Sequence, residues 1–151
     1  MKTDISEKVA TDLLSIPPLV FRVIRRKLIM TTLADVDIDI RYPHTEILAV
    51  LKENGTMHVA EIGERLQIAK AQMTHLIDKL VELGLVDRNV DNNDRRTINI
   101  ALTEKGAAFM EVHENHITNA VREYISILED EELEALSQSL RTLRDTLLKL
   151  Q

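Results

Sequence analysis

Apolar residues recur at every third or fourth position through the middle of the chain, and this spacing predicts two short amphipathic helices. Val59, Ile62 and Leu66 share one face of the first helix, and Gly63 within it indicates close approach by a neighbouring helix. The apolar face of the second helix consists of Met73, Leu76, Ile77, Leu80 and Leu83. With a turn at residues 67–69, the two patterns predict a helix-turn-helix.

The period changes from about four to two after Gly84, which is placed as a left-handed cap of the second helix. Residues 85–90 and 97–102 alternate as two strands do, and the turn-forming residues 91–94 lie between them. The pattern therefore predicts a β-hairpin directly after the helix-turn-helix, which is the arrangement of a wing.

The polar face of the second predicted helix carries side chains that read base edges or touch a thymine methyl. The candidates for DNA contact on this helix are Lys70, Ala71, Gln72, Thr74, His75 and Lys79. We rank Gln72, Thr74 and His75 first as base readers, and we expect Lys70 and Lys79 to reach phosphates. At the wing, Arg95 and Arg96 adjoin the hairpin tip; they are either a solvated pair or contacts to phosphate or the minor groove.

A signature in the wing resembles the MarR family of transcriptional regulators. Asp94, Arg95 and Arg96 are followed by five residues and then by Leu102 and Thr103, as in the family's wing motif. Residues 74–88 are similar to the family's recognition helix running into its first wing strand, and residues 102–106 are similar to the start of its long fifth helix. The resemblance is specific over residues 43–106.

The MarR resemblance implies a homodimeric winged helix-turn-helix regulator that binds double-stranded DNA at a near-palindromic operator. It implies that Arg96 enters or flanks the minor groove and that Asp94 orients it through a charge-assisted hydrogen bond. Two positions depart from the family: Ala69 stands where a serine cap is frequent, and His75 where arginine is frequent. Both departures leave the preferred DNA sequence open.

The predicted fold class is mainly α with a small sheet (α+β): a winged helix-turn-helix domain with long terminal helices. We expect residues 43–106 to bind DNA, and residues 1–42 and 107–151 to form a helical dimerisation region. Thr103 is placed to cap a helix of roughly 25 residues whose apolar side consists of Phe109, Val112, Ile117, Ala120, Val121, Tyr124 and Ile125. The leucine-rich residues 133–150 predict a final helix. These apolar stripes exceed what one small winged domain can cover, which favours packing against a second subunit.

The N-terminal pattern predicts a main first helix from Pro18 to Thr31 that carries a cluster of cations. Arg22, Arg25 and Arg26 form an ordinary solvated face, provide the cation for an anionic effector, or pair with the acidic C-terminal helix of a partner subunit. The MarR resemblance implies small anionic aromatic effectors, and no cofactor is required.

Metal binding is the alternative form of regulation. His113 and His116 are three residues apart on a predicted helix, and His44 is a third candidate ligand. Two histidines on an acidic helix are more often solvated, so we expect no metal site. The chain has no Cys, which excludes thiolate metal ligands and thiol-based redox sensing.

Composition excludes several other functions. Aromatic residues are 3% of the chain, too few for stacking platforms that bind single strands, and no constellation of catalytic groups indicates an enzyme. The net charge of −6 is concentrated in residues 107–151, which carry 4 basic and 9 acidic side chains, whereas residues 70–106, with 6 basic and 6 acidic side chains, are neutral. No apolar run is long enough for a membrane span and the N-terminus lacks a signal-peptide core, so we expect a cytoplasmic location. The sequence therefore predicts a ligand-responsive repressor; a winged-helix module that binds proteins without specific DNA binding is the alternative.

Overall fold

The computed structural model describes residues 2–22, 24 and 38–150, and these residues form six helices and one small antiparallel sheet. The elements are α1 (Lys2–Val20), α2 (Tyr42–Asn54), β1 (Met57–His58), α3 (Val59–Leu66), α4 (Lys70–Glu82), β2 (Val86–Val90), β3 (Ile98–Leu102), α5 (Glu104–Ile125) and α6 (Asp130–Leu148). The contacts divide the chain into two compact units, residues 1–117 and 118–151. The predicted helix-turn-helix and wing are confirmed, and so is the mainly helical fold class.

The sheet has the strand order β1-β3-β2. Strands β2 and β3 form the predicted hairpin, in which Val86 pairs with Leu102 and Val90 with Ile98. The two-residue strand β1 was not predicted; Met57 in it pairs with Ile100. This pairing fixes the start of α3 to the wing, because α3 follows β1 without a loop.

The core of the first unit lies between α2, the helix-turn-helix and the inner face of the sheet. Helix α2 supplies Ile47 and Leu48, which are fully buried, and Leu51, which is 2% exposed. The recognition-helix side chains predicted to face inward are buried: Met73, Leu76, Ile77 and Leu80. Ile100 of β3 closes the core from the sheet side.

Helix α2 has Pro43 in its first turn and Gly55 directly after its last residue. Gly55 has φ of +77°, a conformation that favours glycine. At the other end, the backbone N–H of Arg41 donates to Nδ1 of His44 over 3.0 Å. The imidazole of His44 thus occupies a structural position at the start of the helix.

The end of α4 and the start of α5 are held together by local caps and cross-contacts. The N–H groups of Gly84 and Leu85 donate to the carbonyls of Val81 and Leu80 over 2.9 and 3.0 Å, which is a Schellman cap. Gly84 has φ of +72°, as the sequence predicted. Thr103 caps α5 as predicted, since its Oγ1 accepts from the N–H of Gly106 over 2.9 Å.

The inward face of α5 differs from the predicted one. Met110 and His113 are 3% and 4% exposed, whereas Val112, expected on the apolar side, is 55% exposed. The buried face follows the close contact at Gly106, and Met110 and His113 lie one and two turns beyond it. Met110 was not predicted on the apolar side, so the predicted buried face of this part of α5 is rotated about the helix axis from the observed one.

Helix α1 begins earlier than predicted. It starts at Lys2 and runs through Pro17 and Pro18, so the predicted boundary at Pro18 is wrong. A proline inside a helix removes one backbone hydrogen bond, and the exposed surface here leaves the freed carbonyl groups accessible to water. Most of the remaining predicted stretch, to Thr31, lies outside the described residues.

The second unit contains the end of α5 and all of α6. No residue of Asp130–Leu148 is buried within the chain, although the helix carries a leucine stripe. The leucines most exposed here are Leu136, Leu140, Leu147, Leu148 and Leu150. Among the described helices, none is long and apolar enough to cross a membrane.

Candidate nucleic-acid interface

Helix α4 separates its core residues from its candidate DNA contacts. Met73 and Ile77 are each 1% exposed and anchor the helix to the core. The side chains of the opposite face are exposed: Lys70, Ala71, Gln72, Thr74 and His75. Ala69 occupies the N-cap position without a side-chain hydrogen bond, so the first-turn N–H groups have no cap from that residue.

A tight corner between α3 and α4 holds the recognition helix in place. A methyl group at Gly63 would lie 3.1 Å from Cγ of Met73 and 3.2 Å from the carbonyl oxygen of Ile68, so the predicted close approach at this glycine is confirmed. Gln67 makes the turn with φ of +55°, the left-handed conformation. Any larger residue at position 63 would push α4 away from α3.

The wing tip is organised by the carboxylate of Asp91. It accepts hydrogen bonds from the backbone N–H groups of Asn93 (2.8 Å) and Asp94 (3.4 Å) and from Nδ2 of Asn99 (3.2 Å). These donors, first the N–H of Asn93 and then the Asn99 amide, lower the pKa of Asp91 below its usual value. Asp94 in turn accepts from the backbone N–H of Arg96 over 3.0 Å, so it orients Arg96 through the main chain.

A cleft of about 480 Å³ separates the helix-turn-helix from the wing. Lys70 and Thr74 line it from the recognition helix, and Arg88 and Arg96 line it from the wing. Met73, Ile77 and Ile98 contribute apolar walls. The fold therefore gathers candidate contacts from both predicted elements around one concave surface.

Arg88 lines the same cleft, although its sequence position did not predict a DNA contact. Its Nη2 donates to Oδ1 of Asp78, and the pair links β2 to the recognition helix. The alternation of β2 indicates the side on which Arg88 lies, because Arg88 is two residues from both Val86 and Val90. Only the position of Asp78 on the neighbouring helix shows what that side faces.

Lys79 differs from the other predicted recognition-helix contacts. Its Nζ lies 3.6 Å from Oδ2 of Asp39 and 3.8 Å from Oε2 of Glu82, and its side chain is 29% exposed. Of the predicted effector-binding cations, Arg22 is exposed just beyond α1. Arg25 and Arg26 lie outside the described residues.

The three candidate metal ligands are not brought together. His44 and His113 are 7% and 4% exposed, while His116 is exposed. Desolvation lowers the pKa of both buried imidazoles, and the nearby His116 lowers that of His113 further. His113 stacks on Phe109, with ring centroids 5.9 Å apart. In the part of the chain that the structure describes, no group of three His, Asp or Glu side chains is arranged to hold a metal ion.

Comparison with known proteins gives relatives that are regulators of transcription. The HTH-type transcriptional repressor MdtR of Bacillus subtilis is 35% identical over 88 residues, which are 58% of this chain and 56% of MdtR. The HTH-type transcriptional regulator MhqR of the same organism is 29% identical over 96 residues, which are 63% of this chain and 66% of MhqR. The chain thus matches a little over half to two thirds of the length of these relatives.

Solved structures agree with the fold. The apo form of wild-type MarR from Escherichia coli superposes with a TM-score of 0.74 at 23% identity, covering 85% of this chain and 95% of that one. Residues 40–98, which include the helix-turn-helix and most of the wing, match the family model described as the MarR family. Residues 40–98 of the chain are therefore similar to the MarR family, and the fold is that of MarR from Escherichia coli.

Proposed function

We propose that this protein is a homodimeric, sequence-specific repressor of transcription that binds double-stranded DNA at a near-palindromic operator. The observation that carries the proposal is the concave surface between α4 and the wing. It presents the cations Lys70, Arg88 and Arg96 together with Thr74, and Gln72 is exposed on the same helix. Cations position a phosphate backbone, and amide and hydroxyl groups distinguish base edges.

Dimerisation is supported by apolar side chains that the single chain leaves exposed. On α1 these include Ile5, Val9 and Leu14, which are 59%, 57% and 75% exposed. The leucine stripe of α6 is exposed as well. A two-fold dimer presents two recognition helices to successive major grooves, about 34–36 Å apart, which requires an operator with matching symmetry. A regulator of this kind acts on the chromosome, so we propose a cytoplasmic location.

The test is binding of the pure protein to the DNA upstream of its own gene. We expect nuclease protection of a near-palindrome there, and an affinity that falls steeply as salt rises. A duplex of the same composition in scrambled order serves as the control. Equal affinity for the two duplexes, or none for either, would favour the alternative of a winged-helix module that binds other proteins. The named relatives are regulators rather than enzymes, and we assign no catalytic role.

We further propose that a small anionic aromatic effector weakens DNA binding. The cleft beside α4 has apolar walls and three cations, and its volume of about 480 Å³ suits a ligand of this size. Arg22, Arg25 and Arg26 remain the other candidate cations for the effector. Salicylate titrated against the protein–operator complex should release DNA with a coupling of about 1–3 kcal/mol.

One variant locates the effector site. Loss of the salicylate response in the variant with Arg22, Arg25 and Arg26 all replaced by alanine would assign the effector to the N-terminal cations. A retained response there points to the cleft. A response to Zn²⁺ but not to salicylate would replace this proposal with the metal-responsive alternative, and would bring His44, His113 and His116 back into consideration.

A further inference from the structure

An exposed ion pair links the recognition helix to the wing. Arg88 of β2 donates through Nη2 to Oδ1 of Asp78, and the two side chains are 38% and 53% exposed. Ion pairs with this exposure contribute about 0–1 kcal/mol to folding. The pair is therefore not needed for the stability of the fold, and its geometry is better explained by a role in DNA binding.

Asp78 has an unfavourable position for a protein that binds DNA. It lies one helical turn after Thr74 and His75, so it shares the face of the proposed base readers. A carboxylate on that face repels DNA phosphates. The structure shows what offsets this repulsion, since the guanidinium of Arg88 neutralises the carboxylate at close range.

Arg88 is directed to the cleft by its place in the sheet. It pairs with Ile100, which is fully buried on the face of the sheet turned towards the core and α4. Its neighbours around the cleft are Lys70 of the recognition helix and Arg96 of the wing. A guanidinium has five N–H donors in a planar fork, so one bond to Asp78 leaves donors for a phosphate.

We propose that Arg88 is a further DNA-backbone contact and that Asp78 is its positioning residue, which holds the guanidinium at the mouth of the cleft. This inference rests on the proposed function as a DNA-binding regulator. Arginine held by a carboxylate is already ordered before DNA arrives, so less side-chain entropy is lost when a phosphate binds. The pair then contributes to the preference for the operator, where the backbone follows the cleft.

The direction in which Asp78→Asn changes operator affinity distinguishes a positioning role of Asp78 from a simple effect of its charge. Asp78→Asn removes a negative charge from the DNA-facing helix, so charge alone predicts tighter binding to every duplex. Positioning predicts the opposite for the operator, because the freed Arg88 loses its orientation. Asp87→Asn is the matched control: it makes the same change of charge one residue from Arg88, and Asp87 is exposed on the other side of β2.

The experiment measures fluorescence anisotropy of the full-length protein with the footprinted operator duplex and its scrambled counterpart over a salt series. We expect Arg88→Gln to weaken operator binding roughly tenfold and to reduce the salt slope by about one unit. Arg88→Lys should keep the slope but lose affinity, since lysine cannot make the planar contact. Asp78→Asn should lower the ratio of operator to scrambled affinity several-fold, while Asp87→Asn leaves that ratio unchanged.

The proposal is overturned if Asp78→Asn tightens binding to both duplexes as Asp87→Asn does, or if Arg88→Gln keeps the wild-type salt slope. Circular dichroism of each variant checks that its fold is retained. The wild type in the same series separates this proposal from the proposed function. If the wild type does not prefer the operator to the scrambled duplex, the proposed function is wrong. If the wild type prefers the operator and the variants bind as it does, only the role of Arg88 and Asp78 is wrong.

Discussion

Gly106 of α5 and the carbonyl oxygen of Leu85 are so close that a methyl group at Gly106 would overlap that oxygen. The same methyl group would lie 2.8 Å from Cδ1 of Leu102. Around this contact, Oγ1 of Thr103 donates to the carbonyl of Gly84 over 2.7 Å and Nζ of Lys105 donates to that of Leu83 over 2.7 Å. The end of the recognition helix and the start of α5 are thus joined by several contacts that leave no room between them.

Gly106→Ala should therefore destabilise the protein by roughly 3 kcal/mol or more, because the backbone of Leu85 must move to admit the methyl group. Urea unfolding measures the loss. Gly55→Ala is the control, since its methyl group meets no atom within 4 Å although φ there is +77°. That control should cost about 1–3 kcal/mol from backbone strain alone, because φ of 77° with ψ of −154° is a region that favours glycine. Equal losses at both glycines would mean that the close contact at Gly106 relaxes without cost.

Arg96→Ala tests the wing. The side chain is exposed at the rim of the cleft, so its loss should leave folding intact and reduce operator affinity by about 1–3 kcal/mol. Arg144→Ala in α6 makes the same change of charge far along the chain and is exposed as well. Operator affinity measured by anisotropy should distinguish the two variants. An Arg96→Ala protein that binds like the Arg144→Ala protein would remove the wing from the mechanism.

The recognition helix should contain two kinds of contact. Gln72→Ala should relax the preference at one base position, because an amide can make two hydrogen bonds to an adenine edge. Lys70→Ala should weaken all sequences alike and reduce the salt slope by about one unit. Binding to a set of operators with single base changes measures both effects. A uniform loss in both variants would show that the division into base readers and phosphate contacts is wrong.

Burial of His113 should make folding sensitive to acid. Desolvation lowers the pKa of this imidazole below the ordinary value of 6.5, as it does for His44. Below pH 6.5 the unfolded chain binds protons that the folded chain excludes, so stability falls with pH until the lower folded pKa is reached. Above pH 6.5 neither state binds the proton, and this contribution to stability is constant.

His113→Phe should reduce that loss. The new ring can stack on Phe109, and it removes a buried Nδ1 that has no hydrogen-bond partner among the described residues. Urea midpoints at about pH 7.5 and pH 5.5 should lie closer together in this variant than in the wild type. His116→Phe is the control, because its side chain is exposed. An undiminished loss of stability in His113→Phe would assign the acid sensitivity to other groups, with His44 as the first of them.

The elements that sequence predicted well are set by local signals. The spacing of Ile62, Met73 and Ile77 is visible within single helices, and the caps at Gly84 and Thr103 depend on neighbours a few residues away. Local rules of periodicity and capping are sufficient for such features. They gave the helix-turn-helix, the wing and the start of α5.

The features that sequence missed depend on residues distant in the chain. Strand β1 is only two residues long and exists because Met57 pairs with Ile100, more than 40 positions later. Met110 faces inward because the contact at Gly106 sets the rotation of α5. The partnership of Arg88 with Asp78 required the relative position of a strand and a helix. No pattern within one element contains that information.

The absence of any buried residue in α6 links the integrity of that helix to protein concentration. Most of the stability of a helix in a protein comes from packing of its apolar face, so a 19-residue helix with an exposed leucine stripe gains stability from a partner surface. With the proposed dimer as that partner, mass action relates helix content to the total amount of protein. Dilution would then unfold the C-terminal helices and separate the two DNA-binding surfaces of the proposed dimer. Under the proposed function, repression would therefore fall more steeply than the number of copies of the protein in the cell.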